Sequence, residues 1–368
     1  MKRVLVLGCT GSIGSQTLDI IRHCPDQFTV AGLTCGSDKN SLQKLCAEFN
    51  CPGTLYSEEG TEGLSRLLDK AHADIAVNGV AGSAGLTPSV MVLERGISLA
   101  LANKETVVMA WDLVKTLAQK NNAPIIPVDS EHSAVFCLIN QAQAQNVSEL
   151  VITASGGPFR TWTKQQLETV TVTQALNHPT WHMGPKITID SASLANKGLE
   201  VIEACRLFNM QSSQVTVVVH PQSLVHSLVR TKDGMLYAQI SEPDMRHPIQ
   251  NALTWPDMQP SYLKPFTLAE TEMSFYAPRT EDFKMLPLAY DAARTGGNAT
   301  IAYNAANEVA VQAFMDGAIS FLQIADVVAH VLQHDWKAVP DSIAQVMEAD
   351  KESRQYASQK VKALQEKR

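Results

Sequence analysis

"MKRVLVLGCTGSIGSQTLDIIRH", residues 1–23, runs from a charged start through apolar Val4–Leu7 to glycines at 8, 11 and 14, then into helical spacing at Leu18 and Ile21. An apolar run closed by glycine and followed by apolar residues three and four apart predicts strand, tight turn and helix. Working outward, apolar runs at 28–33, 73–80, 97–102 and 124–128 predict further strands, with helical spacing at 41–49 and 106–120 between them. Strands alternating with helices predict a parallel, doubly wound sheet of Rossmann type.

The pattern changes after about residue 150. "QVTVVVH", "SLVHSLVRT" and "GMLYAQI" alternate apolar and polar positions over short runs, which predicts an antiparallel meander. Prolines gather at 256, 260 and 265, so this stretch reads as an extended linker, and from Leu286 onward the spacing is helical. The fold class expected is α/β: a Rossmann-type domain, an α+β central catalytic domain and a C-terminal helical bundle. The boundaries are set at 1–125, 126–254, 255–283 (linker) and 284–368.

With 368 residues, 45% hydrophobic, 18% charged and a net charge of -7, the chain suits an ordinary globular protein of two or three domains. No basic block precedes the mixed tail 360–368, which argues against nucleic-acid and anionic-membrane partners and reads as a solvated helix end. Val4–Leu7 is too short for a signal segment, and no run reaches the roughly 18 apolar residues of a membrane span. Seven cysteines without a Cys-x-x-Cys pair argue against a disulfide framework and a zinc site, so a cytoplasmic chain with reduced thiols is expected.

Gly8, Gly11 and Gly14 supply backbone without Cβ where a pyrophosphate must come close, ahead of a helix N-terminus that attracts anions. Thr10 and Ser12 add hydroxyls. The second strand ends in "LTCGSDKN", where Ser37, Lys39 and Asn40 could hold a 2′-phosphate and so select NADPH; Asp38 would favour NADH if it pointed inward. "LANKETV" puts Asn103, Lys104 and Glu105 at the carboxyl edge of the sheet, where such folds bind ligands.

"PVDSEHSAVF", residues 127–136, follows the last predicted strand. If the segment is extended, Asp129 and Glu131 face one side, and two carboxylates there need a proton, a lysine or a metal between them. "DSASLANKGLEVIEACRLF" adds Glu200 and Glu203, three apart on a predicted helix: either its wet face or further ligands, with Glu203 in the first or second coordination sphere. An oxygen-only set of Asp129, Glu131 and Glu200 suits magnesium or manganese and not zinc. Ser191, Ser193, Asn196 and Lys197 form a polar helix entry suited to an anion, and Ser155 with Gly156 and Gly157 offers a second. Together these imply a phosphorylated substrate with adjacent oxygens to chelate. "NHPTWHMGPK" reads as a loop whose Trp181 and Met183 could exclude water, with His178 either on the phosphate or a structural hydrogen bonder. His220 and His226 stay open between core packing and catalysis.

"LGCTGSIGSQTLD", "LANKE", "PVDSEHSA", "TASGGPFR", "HPTWHMG", "NKGLEVIEA", "HPQSLVHSLV", "EPDMRHPI" and "NAANEVAV" occur in the order seen in the 1-deoxy-D-xylulose 5-phosphate reductoisomerases, which the chain resembles over nearly its whole length. The resemblance implies an NADP-dependent oxidoreductase of non-mevalonate isoprenoid biosynthesis, using NADPH with Mg2+ or Mn2+ on a sugar phosphate. It implies Asp129, Glu131 and Glu200 as metal ligands, and Ser130, Glu131, Ser155, His178, Trp181, Ser191, Asn196, Lys197 and Glu200 as substrate contacts. For the cofactor it implies Thr10, Gly11, Ser12, Ile13, Gly36, Ser37, Lys39, Asn40, Asn103, Lys104, Glu105 and Gly184. Glu131, Lys104 and His226 are the implied catalytic residues, Trp181 and Met183 the mobile lid, and the assembly a homodimer. "CGSDKN" departs from the family by its extra acid at Asp38. Competing readings are another metal-dependent NADP dehydrogenase on a phosphorylated hydroxy substrate, and a catalytically dead nucleotide sensor; the latter predicts loss of carboxylates that are present.

Overall fold

A computed structural model describes residues 1–366; the last two positions of the expected helical tail lie outside the described residues. The chain divides into two compact units, the first made of residues 1–106, 111–133 and 244–265 and the second of 107–110, 134–243 and 266–368.

In the first unit, β1 (Lys2–Leu7), α1 (Ser12–His23), β2 (Phe28–Cys35), α2 (Lys39–Phe49), β3 (Gly53–Leu55), α3 (Tyr56–Ala71), β4 (Ile75–Asn78), α4 (Leu86–Glu94), β5 (Ser98–Leu101), α5 (Lys104–Lys120, apart from residues 107–110) and β6 (Ile125–Pro127) alternate as expected. The parallel sheet has the order β3-β2-β1-β4-β5-β6, with a topological switch between β1 and β4. Val4, Leu5 and Val6 are wholly buried, which is why β1 reads as an unbroken apolar run and not as an alternation. The short β3 was not legible in the sequence.

One local expectation is corrected. The segment holding Asp129 and Glu131 is not extended: α6 (Ser130–Ala142) begins immediately after Asp129, and Glu131 lies in its first turn. The Asp129 carboxylate accepts the Glu131 amide at 3.2 Å, so it acts as a helix cap and ends the strand register early.

The second unit holds β7 (Val147–Ala154), α7 (Lys164–Leu167), α8 (Val172–Ala175), α9 (Pro185–Ser193), α10 (Ala195–Leu207), β8 (Val215–Val219), β9 (Val225–Thr231) and β10 (Leu236–Ile240). Its sheet has the order β10-β9-β7-β8 and is mixed. Only part of the expected meander exists: β9 and β10 are an antiparallel pair, but β8 runs parallel to β7. The helices between β7 and β8 make the crossover that a parallel pair requires.

After β10 the chain contributes α11 (Arg246–Thr254) to the first unit, where Arg246 and Tyr262 both bond Asp19 of α1, at 3.0 and 2.8 Å. The second unit then closes with α12 (Met285–Thr295), α13 (Ala299–Met315), α14 (Gln323–Leu332) and α15 (Ile343–Gln365). Its core runs through Leu150, Ile152, Leu199, Tyr303, Val311 and Val328.

Candidate active site

At the nucleotide end of the first unit, Gly8 adopts φ +81° and Gly11 caps α1 without a side chain to bond the first amides. A Cβ on Gly14 would lie 2.3 Å from the Gly8 carbonyl oxygen, so the turn closes only because that position is glycine. Thr10, Ser12 and Ile13 therefore surround an open helix N-terminus suited to an anion. Thr10 touches Cys35 at 3.2 Å, which sets this turn beside Gly36 and Ser37 at the end of β2.

Asp38 is exposed and does not face inward: it caps α2 by accepting the Ser41 amide at 3.0 Å, and hydrogen bonds from the Ser41 side chain and amide lower its pKa. Lys39 pairs with Glu58 at 3.0 Å on the surface, and Asn40 is exposed beside it. An exposed pair of this kind is worth about 0–1 kcal/mol, so a phosphate can take Lys39 from Glu58 at little cost.

Asn103 caps α5 by accepting the Thr106 amide at 3.0 Å, and its amide group donates to Val80, Gly82 and Glu105 at 2.8–2.9 Å. It thereby shapes the loop after β4. Lys104 turns towards β6, and its ammonium meets the Asp129 carboxylate at 2.9 Å with both groups nearly buried. His132, buried beneath, holds the other Asp129 oxygen at 3.0 Å. Burial pushes the Asp129 pKa up, but the Lys104 charge and His132 outweigh it, and the carboxyl is held well below the usual carboxylate range. Ser130 donates to Glu131 at 2.5 Å. Part of the positive charge that the two acids demand is thus a lysine. His132 stands in the quoted stretch, but nothing in the sequence signalled its role as the support of Asp129.

In the second unit, Ser155, His178 and Ser191 come together. His178 Nε2 lies 2.9 Å from Ser155 Oγ and 3.1 Å from Ser191 Oγ. Its Nδ1 accepts the amides of Thr180 and Trp181 at 3.1 and 2.9 Å, so the proton of the neutral ring sits on Nε2, directed at the two hydroxyls. Burial pushes this imidazole down to about 4, which keeps it neutral at physiological pH. A Cβ on Gly157, at φ +66°, would meet the Ser191 carbonyl at 2.9 Å; glycine there lets the turn close against α9.

Ser191 and Ser193 end α9, and Leu194, at φ +62°, turns the chain directly into α10. The expected polar helix entry is therefore a helix-to-helix corner. On α10, Lys197 and Asn196 both bond Glu200. Glu200 and Glu203 are each 1% exposed, which rules out the wet-face alternative. Trp181 lies over His226 of β9, with ring centroids 6.3 Å apart, and Gly184 caps α9. His220 is a packing residue: it bonds the Ser274 carbonyl at 2.9 Å and the Leu224 amide at 3.2 Å, and stacks on Phe275.

Family models described as 1-deoxy-D-xylulose 5-phosphate reductoisomerase match residues 4–59 and 54–111. Models of that enzyme's C-terminal domain match 125–208 and 240–356. The 1-deoxy-D-xylulose 5-phosphate reductoisomerase of Treponema denticola is 48% identical over 97% of this chain and 96% of its own, and that of Treponema pallidum 47% over the same shares. A solved structure of DOX-P reductoisomerase in complex with NADPH, fosmidomycin and magnesium superposes with a TM-score of 0.91, 37% identity and 99% of each chain covered. The Zymomonas mobilis enzyme in complex with NADPH gives a TM-score of 0.89 at 37% identity, covering 99% of this chain and 100% of its own. On identity, coverage and the order of its motifs, the chain belongs to the 1-deoxy-D-xylulose 5-phosphate reductoisomerase family.

Proposed function

We propose that the chain converts 1-deoxy-D-xylulose 5-phosphate into 2-C-methyl-D-erythritol 4-phosphate, using NADPH and a divalent metal, in isoprenoid biosynthesis. The observation that carries this reading is the burial of Asp129 and Glu200 as carboxylates, each held by a lysine, Lys104 and Lys197. With Glu131 these lysine-paired acids offer a donor set of oxygens alone, which fits Mg2+ or Mn2+. When bound, the metal lowers the pKa of the substrate's hydroxyl and stabilises negative charge on its oxygens, and NADPH supplies the hydride.

The chain's own residues do the rest. Ser155, Ser191, Asn196, Lys197 and the Nε2 proton of His178 bind the phosphate and fix the sugar's orientation. Ser130 orients Glu131, which handles the proton of the reacting hydroxyl during retro-aldol cleavage and re-addition. Lys104 supplies positive charge beside Asp129. Trp181 and Met183 close over the sugar and exclude water, with His226 behind Trp181. The open α1 N-terminus, with Gly36, Ser37, Lys39 and Asn40, receives the cofactor's phosphates; Asn103, Glu105 and Gly184 lie further along it.

The division at 125, 254 and 283 is the functional partition we propose: cofactor, catalysis, linker and helical support. A homodimer is proposed because β10 is an edge strand with Leu236, Tyr237 and Ile240 exposed. A cytoplasmic location is proposed because no disulfide joins the cysteines among the described residues; no helix there is long and apolar enough to cross a membrane.

Glu131→Gln tests the assignment. It should leave NADPH binding intact, weaken Mn2+ binding measured by calorimetry, and remove turnover. Near-normal turnover in this variant would dismiss the proposed proton role.

A further inference from the structure

We propose that Lys186, Asp190 and Asn307 form a positioning relay that fixes the C-terminal end of the 178–185 lid and ties it to the phosphate-binding end of α9. The inference rests on the lid and phosphate roles given above. Asp190 is 1% exposed, and a carboxylate at that depth must be paired. One of its oxygens accepts from the Asn307 amide at 2.8 Å and the other meets the Lys186 ammonium at 2.9 Å.

Lys186 stands in the first turn of α9, where the helix dipole disfavours a cation. Its side chain is only 23% exposed, so it forgoes water as well. The ion pair with Asp190, four residues on, offsets both costs. Asn307 is fully buried on α13 inside the core of its unit, and so gives Asp190 a stationary support.

The lid therefore has both feet on one helix. Its first foot is His178, which holds the Thr180 and Trp181 amides on one ring nitrogen and reaches Ser191 with the other. Its second is Lys186, three residues after Met183, held through Asp190, the residue before Ser191. Only residues 182–185 span the gap between the two. A phosphate that engages Ser191 and His178 meets a lid whose far end is already set, so closure orders few residues and costs little entropy. Lys186 and Asp190 act through the lid and are positioning residues, not catalytic ones.

The test is hydrogen exchange and steady-state kinetics on the full chain carrying Lys186→Met, Lys186→Arg, or Lys186→Met with Asp190→Asn. Lys186→Met should speed exchange across residues 179–190 about tenfold without any ligand. It should raise KM for 1-deoxy-D-xylulose 5-phosphate about tenfold and leave KM for NADPH unchanged. Lys186→Arg should restore both readouts. The double variant removes the stranded carboxylate charge, so its melting temperature should recover while the lid stays loose. Unchanged exchange in Lys186→Met, or normal exchange and KM in the double variant, would overturn the relay. Fast exchange in Lys186→Met alongside a wild-type chain that does not turn over this substrate would keep the relay and reject the proposed reaction.

Discussion

Gly14→Ala adds one methyl group to the first turn of α1, at the point where the helix meets the turn after β1. The new Cβ would stand 2.3 Å from the Gly8 carbonyl oxygen, 2.6 Å from Cys9 Cα and 2.9 Å from Cys9 carbonyl carbon. Carbon atoms and carbonyl oxygens rest at about 3.3–3.6 Å, so Gly8 and Cys9 must retreat by roughly 1 Å. Both are pinned: their amides bond the Thr34 carbonyl at 3.1 and 2.8 Å, and the Gly8 carbonyl accepts from Gly11 at 3.0 Å. Overpacking of this kind costs about 1–3 kcal/mol, and the better helix propensity of alanine returns at most about 1 kcal/mol of it. Moving Gly8 and Cys9 shifts the Thr10–Ile13 turn that follows them, where the pyrophosphate is proposed to bind. A loss of about 1.4 kcal/mol there is tenfold in affinity, so Kd for NADPH should rise at least about tenfold. Fluorescence titration of NADPH measures this directly, with thermal unfolding run in parallel. A Kd within twofold of the wild type, together with an unchanged melting temperature, would refute the steric reasoning.

Two further predictions come from the second unit. His178 has a folded pKa of about 4 against an ordinary 6.5, so between these values the unfolded chain binds the proton that the folded chain refuses. Its stabilising effect is whole above pH 6.5 and is lost as pH falls towards 4, by at most about 3 kcal/mol. The fall in melting temperature from pH 6.5 to 4.5 should therefore be shallower in His178→Gln, and equal slopes would contradict the buried neutral ring. Gly157→Ala would press a Cβ to 2.9 Å from the Ser191 carbonyl at a φ of +66°. It should raise KM for the phosphorylated substrate and leave Kd for NADPH unchanged; parallel losses in both would point to a general folding defect.

The doubly wound sheet was legible because β1, β4 and β5 are buried on both faces and read as continuous apolar runs between helices. β3 escaped because three residues carry no period, and β7 because "VSELVITA" was read only for the Ser155 turn that follows it. The parallel pairing of β8 with β7 depends on a crossover of about sixty residues, which local alternation cannot report. At the site, residue types were legible and local geometry was not. Asp129 followed by Ser130 and Glu131 is a helix start with its acidic first turn, a signal that the expectation of an extended strand obscured. Lys186 and Asp190 are visible as a four-residue pair on a helix, but Asn307 lies 117 positions from Asp190 and only the fold joins them.

The most direct measurement is oxidation of NADPH by the purified chain with 1-deoxy-D-xylulose 5-phosphate, with Mg2+ and after its removal, and with NADH in its place. Metal-dependent turnover that favours NADPH and yields 2-C-methyl-D-erythritol 4-phosphate is the expected result. Tight NADPH binding without turnover of this substrate, at saturating Mg2+, would contradict the proposed reaction and favour a dehydrogenase acting on another phosphorylated hydroxy compound.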